Sequence, residues 1–425
     1  MTILYRLLFA ILVILNLNFS AINSCATPYC CSTRDGSGPI PPVPPVPGVA
    51  GISFMNSLGN HNGPSVGNIG GNISTTGVTA YITKKIADDC LNIQTPGVYL
   101  LAESLILPDN DSDAFAGCTS GITISTSDVT LDLNGFSINY GGQTGPPFQF
   151  HGIKIAPGVK NITIKNGAIR GFTGSGIYAA STAGTAGAIQ QIVLCDLMIQ
   201  DNAAGVTFDG TLNPLKLIHI TTSTISSNKS YGVSYTSVNT GKFSSVTTSE
   251  NSNSAGHAHG IWLANCNNID LYAADTEKNT ATGGTGYGVL ADTCNKINIY
   301  SSNANYNTGD TEIGSYGIAL VNSTNSTLDS NTVSENNIGF YDNASPTSNL
   351  YIRNFAKRNG PFTSPAPASN STLLTNYNII AAPGGVAVDH DSNTTALNKF
   401  IKKPSIHAPH DADNAGTYWN YSFTD

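Results

Sequence analysis

From residue 152 onward one hydrophobic pattern recurs: a glycine, then a short stretch in which apolar and polar positions alternate. It appears at Gly152 (GIKI), Gly176 (GIYA), Gly205 (GVTF), Gly232 (GVSY), Gly260 (GIWL), Gly288 (GVLA), Gly317 (GIAL) and Gly339 (GFYD), at intervals of 22 to 29 residues. A second strand-like run lies inside most intervals, at 162–164, 192–194, 218–220, 269–271, 297–299 and 350–352. Asparagine closes many of the units, at Asn202, Asn228, Asn279, Asn307 and Asn336. The apolar period is 2, which predicts strands and excludes a helical repeat. Short strands joined by polar turns at this spacing predict a solenoid, and the intervals are too short for four-stranded propeller blades. Three short strands fit one coil of a parallel β-helix, whose coils stack at the ordinary interstrand distance.

The repeat therefore predicts an all-β, right-handed parallel β-helix of about nine coils. Glycine at the head of each unit suits a sharp corner, because it reaches φ > 0 without steric cost. Asparagine at the unit ends suits turns and can bond its counterpart one coil away. Val129-Thr130-Leu131-Asp132-Leu133-Asn134-Gly135-Phe136, followed by residues 161–172 (NITIKNGAIRGF), resembles the opening coils of right-handed β-helix repeat proteins of the pectin-lyase-like fold. The periplasmic copper-site maturation β-helix family is one such group. The resemblance covers residues 85–360 and implies the fold. Proteins of that fold include polysaccharide lyases, hydrolases, epimerases, tailspikes and adhesins, so fold alone assigns no activity.

The flanks read differently. Residues 1–26 form an export signal, with Arg6 ahead of the apolar run 7–15 and small residues from Ser20 to Ala26. That run is too short to span a membrane. Two processing readings stand: cleavage before Thr27, or a lipobox-like Ile22-Asn23-Ser24-Cys25 that would place a lipid anchor on Cys25. Residues 27–84 form a Pro/Gly/Asn-rich linker, with a polyproline II rod at 39–47. Residues 361–425 form a C-terminal cap and tail, in which Tyr418-Trp419-Asn420-Tyr421 is the segment best suited to dock. Export predicts a secreted, cell-surface or periplasmic location and permits disulfides. Cys90 and Cys118 are the disulfide candidates, closing the N-terminal cap. Cys266 and Cys294 each lie six residues after a repeat glycine and should form a ladder of free thiols.

Composition narrows the function classes. Only 11% of residues are charged and the net charge is -8, with no basic stripe for nucleic acid. Acid/base or calcium-dependent chemistry on this fold needs carboxylates and basic groups at matching positions of adjacent coils. Asp270 faces Asn298, Glu277 faces Asn305, and Asp132 has no acidic companion, so no such cluster assembles from the repeat. Gly256-His257-Ala258-His259-Gly260 faintly resembles the Gly-His-Gly element of polygalacturonases, without the paired aspartates or basic triplet of that family. No metal or cofactor is expected. His259 occupies the position of Tyr231, Tyr287 and Tyr316, which predicts an aromatic ladder. Tyr178, Trp262 and Tyr341, two residues after their glycines, should point outward beside it. With His257 and His259 they are the candidate sugar-binding residues. The expected function is a non-catalytic surface protein that binds a glycan or a partner. The alternative is a polysaccharide-active lyase or hydrolase.

Overall fold

The computed structural model describes residues 79–83, 91–107, 118–141, 149–183, 188–309, 314–343, 349–357 and 359. It also describes the backbone strands Thr375–Ile380, Ala387–Val388, Thr394–Thr395 and Tyr418–Asn420. All belong to one unit, residues 64–425. The signal segment, most of the linker, Cys25 and Cys90 lie outside the described residues.

The chain forms a parallel β-solenoid of about eight turns, close to the nine read from the repeat. Three strands per coil build three faces. The first carries the repeat motifs, from Ser120–Ile124 through Ala258–Ala264 to Ile338–Asp342. The second runs through Leu215–Thr221, Val238–Ser244, Asn267–Tyr272 and Asn295–Tyr300. The third runs through Thr224–Ser226, Thr247–Ser249, Asp275–Glu277 and Asn303–Asn305. Lys160–Arg170 and Gln190–Gln200 cross the corner between the second and third faces without a break. Pairing already includes Thr79–Ile82, which lies parallel to Gly97–Leu101. Tyr418–Asn420 docks antiparallel on Thr375–Ile380, in the tail segment picked out for docking.

The repeat register is the one the glycines imply, with Ile153, Ile177, Val206, Val233, Ile261, Val289, Ile318 and Phe340 aligned and buried on the first face. The reason for the glycines is different from the one expected. They are not left-handed; positive φ among glycines occurs at Gly97, Gly135, Gly158 and Gly171. What each repeat glycine lacks is room. A Cβ on Gly260 would lie 2.7 Å from the Gly288 carbonyl oxygen and 2.7 Å from Thr248 Oγ1. The left-handed corner falls instead on the residue before each ladder asparagine, as at Asp201, Ser227, Glu250, Lys278, Tyr306 and Glu335.

The asparagines are buried in the corner between the third and first faces. Asn202, Asn228, Asn251, Asn279, Asn307, Asn336 and Asn359 form one chain, each side-chain amide donating to the next Oδ1 at 2.9–3.2 Å. Each backbone N–H from Asn202 to Asn336 donates to the same acceptor. The second amide hydrogen reaches a carbonyl of the preceding coil, as from Asn279 to Thr248 at 3.3 Å. A buried amide left unbonded is costly, and the ladder satisfies both donors in every coil.

Candidate functional site

Polar and aromatic side chains at outward positions become neighbours only through the coil register. On the first face, Tyr231, His259, Tyr287 and Tyr316 are aligned. Their rings lie 5.4, 4.9 and 5.0 Å apart in sequence order, so the expected ladder forms. Trp262 leans against Tyr231 at 5.2 Å and His259 at 5.6 Å, and Tyr341 against Tyr316 at 5.1 Å. Between Trp262 and Tyr341 the same column holds the smaller Leu290 and Ala319, both buried. Tyr178 and Trp262 are half-buried and outward, as is Tyr341. Tyr178 lies lower on the face and stacks on His151 at 4.2 Å.

The ladder offers less ring face than the sequence suggested. Tyr231 lies nearly parallel to His259, at 4°, and Tyr287 to Tyr316, at 11°, so within each pair the rings stack and cover one another. Burial raises the phenol pKa of Tyr231 and Tyr287, and pushes that of Tyr316 up to about 12. Burial, helped by the neighbouring His257, lowers His259 to about 3, so the row is uncharged at neutral pH. His259 Nδ1 and Trp262 Nε1 are buried without a hydrogen-bond partner among the described residues. His257 is exposed, and its Nδ1 accepts the Thr285 N–H at 3.0 Å. Its ring lies 6.0 Å from that of His259. Among the described residues no group of three His, Cys, Asp or Glu side chains is placed to hold a metal.

The second face holds a cluster that sequence reasoning missed. His219, Lys242, Asp270 and Asn298 occupy one outward column, and Ser244, Tyr272 and Tyr300 the column beside it. Asn298 Nδ2 donates to Asp270 Oδ1 at 2.8 Å, and the Tyr272 and Tyr300 rings stack at 4.9 Å. Lys242 Nζ sits 5.3 Å from the Tyr272 ring centroid. Burial first, then the Lys242 charge, lowers the His219 pKa. One basic and one acidic group, Lys242 and Asp270, are thus adjacent in this column. The signal was hidden because this coil departs from the repeat. Gly241 stands where its neighbours in register carry Ile218 and Ile269, and a Cβ there would meet Ile269 Cδ1 at 2.9 Å, the Ile218 carbonyl oxygen at 3.2 Å and the Tyr235 ring at 3.5 Å. Asp132 pairs with Lys165 of the next coil at 3.3 Å. Glu277 aligns with Asn305 as read.

Of the cysteines, Cys118 and Cys195 are disulfide-bonded, the second an addition to the expected set. Cys90 lies outside the described residues, and so does the proposed pairing with it. Cys266 and Cys294 are free and buried, the Cys266 N–H donating to Cys294 Sγ at 3.3 Å. That contact places them in matching positions of adjacent coils.

No known family profile matches the chain, and no curated protein is similar to it. Solved structures resemble it in fold. The A-module of the Azotobacter vinelandii mannuronan C-5 epimerase AlgE6 is 14% identical over 76% of this chain and 92% of its own, with a TM-score of 0.46. Pectate lyase Pel9A is 14% identical over 78% and 86%, also at 0.46. The enzymatically active domain of bacteriophage CBA120 tailspike protein 2 is 12% identical over 72% of this chain, at 0.47, and there the match spans 48% of the tailspike chain. Among the described residues no helix is long and apolar enough to cross a membrane.

Proposed function

We propose that the chain is an exported, non-catalytic β-helix protein that binds a glycan through its first face. One observation carries this reading. Tyr231, His259, Trp262, Tyr287, Tyr316 and Tyr341 gather on one outward surface, where the tyrosines and Trp262 are partly exposed to solvent. Tyrosine and tryptophan join an apolar ring to a polar tip, the combination suited to a surface that is partly dried on binding. Ring edges and hydroxyls offer hydrogen bonds to sugar hydroxyls, and the tilted Trp262 and Tyr341 offer partly open faces.

Trp262 and Trp419 are the two tryptophans of the chain, which makes the reading testable by fluorescence. In a Trp419→Phe background, a glycan identified on an array should shift the Trp262 emission. Trp262→Ala or Tyr341→Ala should weaken binding at least tenfold. Failure of every glycan class to bind the folded protein contradicts the proposal. Release of reducing or unsaturated ends from a polysaccharide would favour the enzymatic alternative instead.

A further inference from the structure

The second face carries a site of different chemistry, read independently of the first. Tyr272 is 41% exposed, a large aromatic side chain left open on a flat sheet. One side of its ring is covered by Tyr300 of the next coil. On the other side the register places Ser244, too small to cover it, so that side meets only the Lys242 ammonium. Lys242 is exposed and forms no ion pair among the described residues. The Asp270 carboxylate beside it instead accepts from Asn298. A row of outward amides, Asn239, Asn267 and Asn295, linked at 3.2 and 2.8 Å, lies three residues before the Lys242–Asp270 column on the same strands.

We propose that this cluster binds an acidic sugar unit, its ring against the open side of Tyr272 and its acid group on Lys242. An aromatic face and an unpaired cation match the C–H surface and the anion of such a sugar, and the amides farther along the strands suit the hydroxyls of adjoining units in a chain. A neutral sugar in the same place would cover the ammonium without pairing it, which is unfavourable. An acidic peptide would satisfy Lys242 but would leave the ring face and the amides without a matching partner. His219, held neutral by burial and by Lys242, adds a hydrogen-bonding group and no opposing charge.

Isothermal titration of the full chain tests this with four probes: an oligogalacturonate, a kappa-carrageenan oligosaccharide, a cello-oligosaccharide and a glutamate-rich peptide. At least one acidic saccharide should bind, with an affinity that falls as salt rises. The two acidic arms distinguish carboxylate from sulfate. Lys242→Met and Tyr272→Ala should each weaken binding tenfold or more. Asp270→Asn retains the acceptor for Asn298 and removes the repelling charge, so it should tighten binding several-fold, a gain that a purely structural role would not produce. Lys242 is solvent-exposed, so its variant is expected to fold even if Tyr272→Ala does not. The proposal is overturned if neither acidic saccharide binds, if the neutral sugar or the peptide binds equally well, or if Lys242→Met leaves the affinity unchanged.

Discussion

Asn279 and Asn295 are both asparagines bonded to their counterparts in adjacent coils, yet they do different work. The Asn279 amide is buried, and its removal strands the Asn251 donors and the Thr248 carbonyl. Asn279→Ala should therefore cost about 1–3 kcal/mol in urea unfolding, the usual penalty for unsatisfied buried polar groups. Asn295→Ala, at an exposed site, should stay within about 0.5 kcal/mol. Equal effects would show that the buried ladder is not what secures the corner. His259 gives a pH signature. Burial lowers its pKa in the folded chain from 6.5 to about 3, so the unfolded chain takes up the proton first as pH falls. Its contribution to stability is complete above about pH 6.5 and is lost between there and pH 3, at up to roughly 1.4 kcal/mol per pH unit. His259→Phe should flatten that part of the stability–pH curve; an unchanged slope would mean that the imidazole reaches water. The sequence showed His259 to be a ladder member, but not that its neighbours would cover both ring faces.

At the scale of the strand, the repeat was legible wherever a branched apolar residue faced inward; in two coils with a buried tyrosine, one strand was missed and another was found but its inward side was misread. In the coil of Val238–Ser244 the inward Ile is replaced by Gly241, where Ile269, the Ile218 carbonyl and the buried Tyr235 ring from the first face of the same coil crowd the space. Near the C-terminal end the strand Leu350–Ile352 turns Tyr351 inward, bonded to Asp342 at 3.1 Å, and leaves Leu350 and Ile352 half-exposed. Both exceptions defeat an apolar-polar count for the same reason: a large ring with a polar tip was scored by its polarity and used for its volume. Gly241→Ile should be strongly destabilising alone and tolerated in Tyr235→Leu, with a coupling energy of about 0.5–3 kcal/mol between the two sites. Additive effects would show that the ring and the glycine do not share the space. The thiols make a second test. Alkylation of the unfolded, non-reduced chain should label Cys266 and Cys294 and spare Cys118 and Cys195. The contact with Cys266, then burial, pushes the Cys294 thiol up, which slows its oxidation. A Cys266–Cys294 crosslink in the non-reduced protein would contradict this.

At the scale of the molecule, a solenoid converts sequence periodicity into surface columns, and both proposed sites are such columns. The fold and the first-face ladder were readable because the repeat glycine sets their register directly. The second-face cluster was not, because its central coil hides its register behind Gly241. Both sites depend on one coil advancing the chain by one interstrand spacing, and that can be measured. In the outward column Thr163, Val193, His219, Lys242, Asp270, Asn298 and Thr327, Asp270 is four register steps from Thr163 and Thr327 is six. Electron–electron double resonance between spin labels at 163 and 270, and at 163 and 327, should give backbone separations of about 19 and 29 Å. Distances in that ratio establish the stacking on which the sites rest. Distances that do not grow by one spacing per coil, or broad distributions at both pairs, would contradict the register and the account built on it.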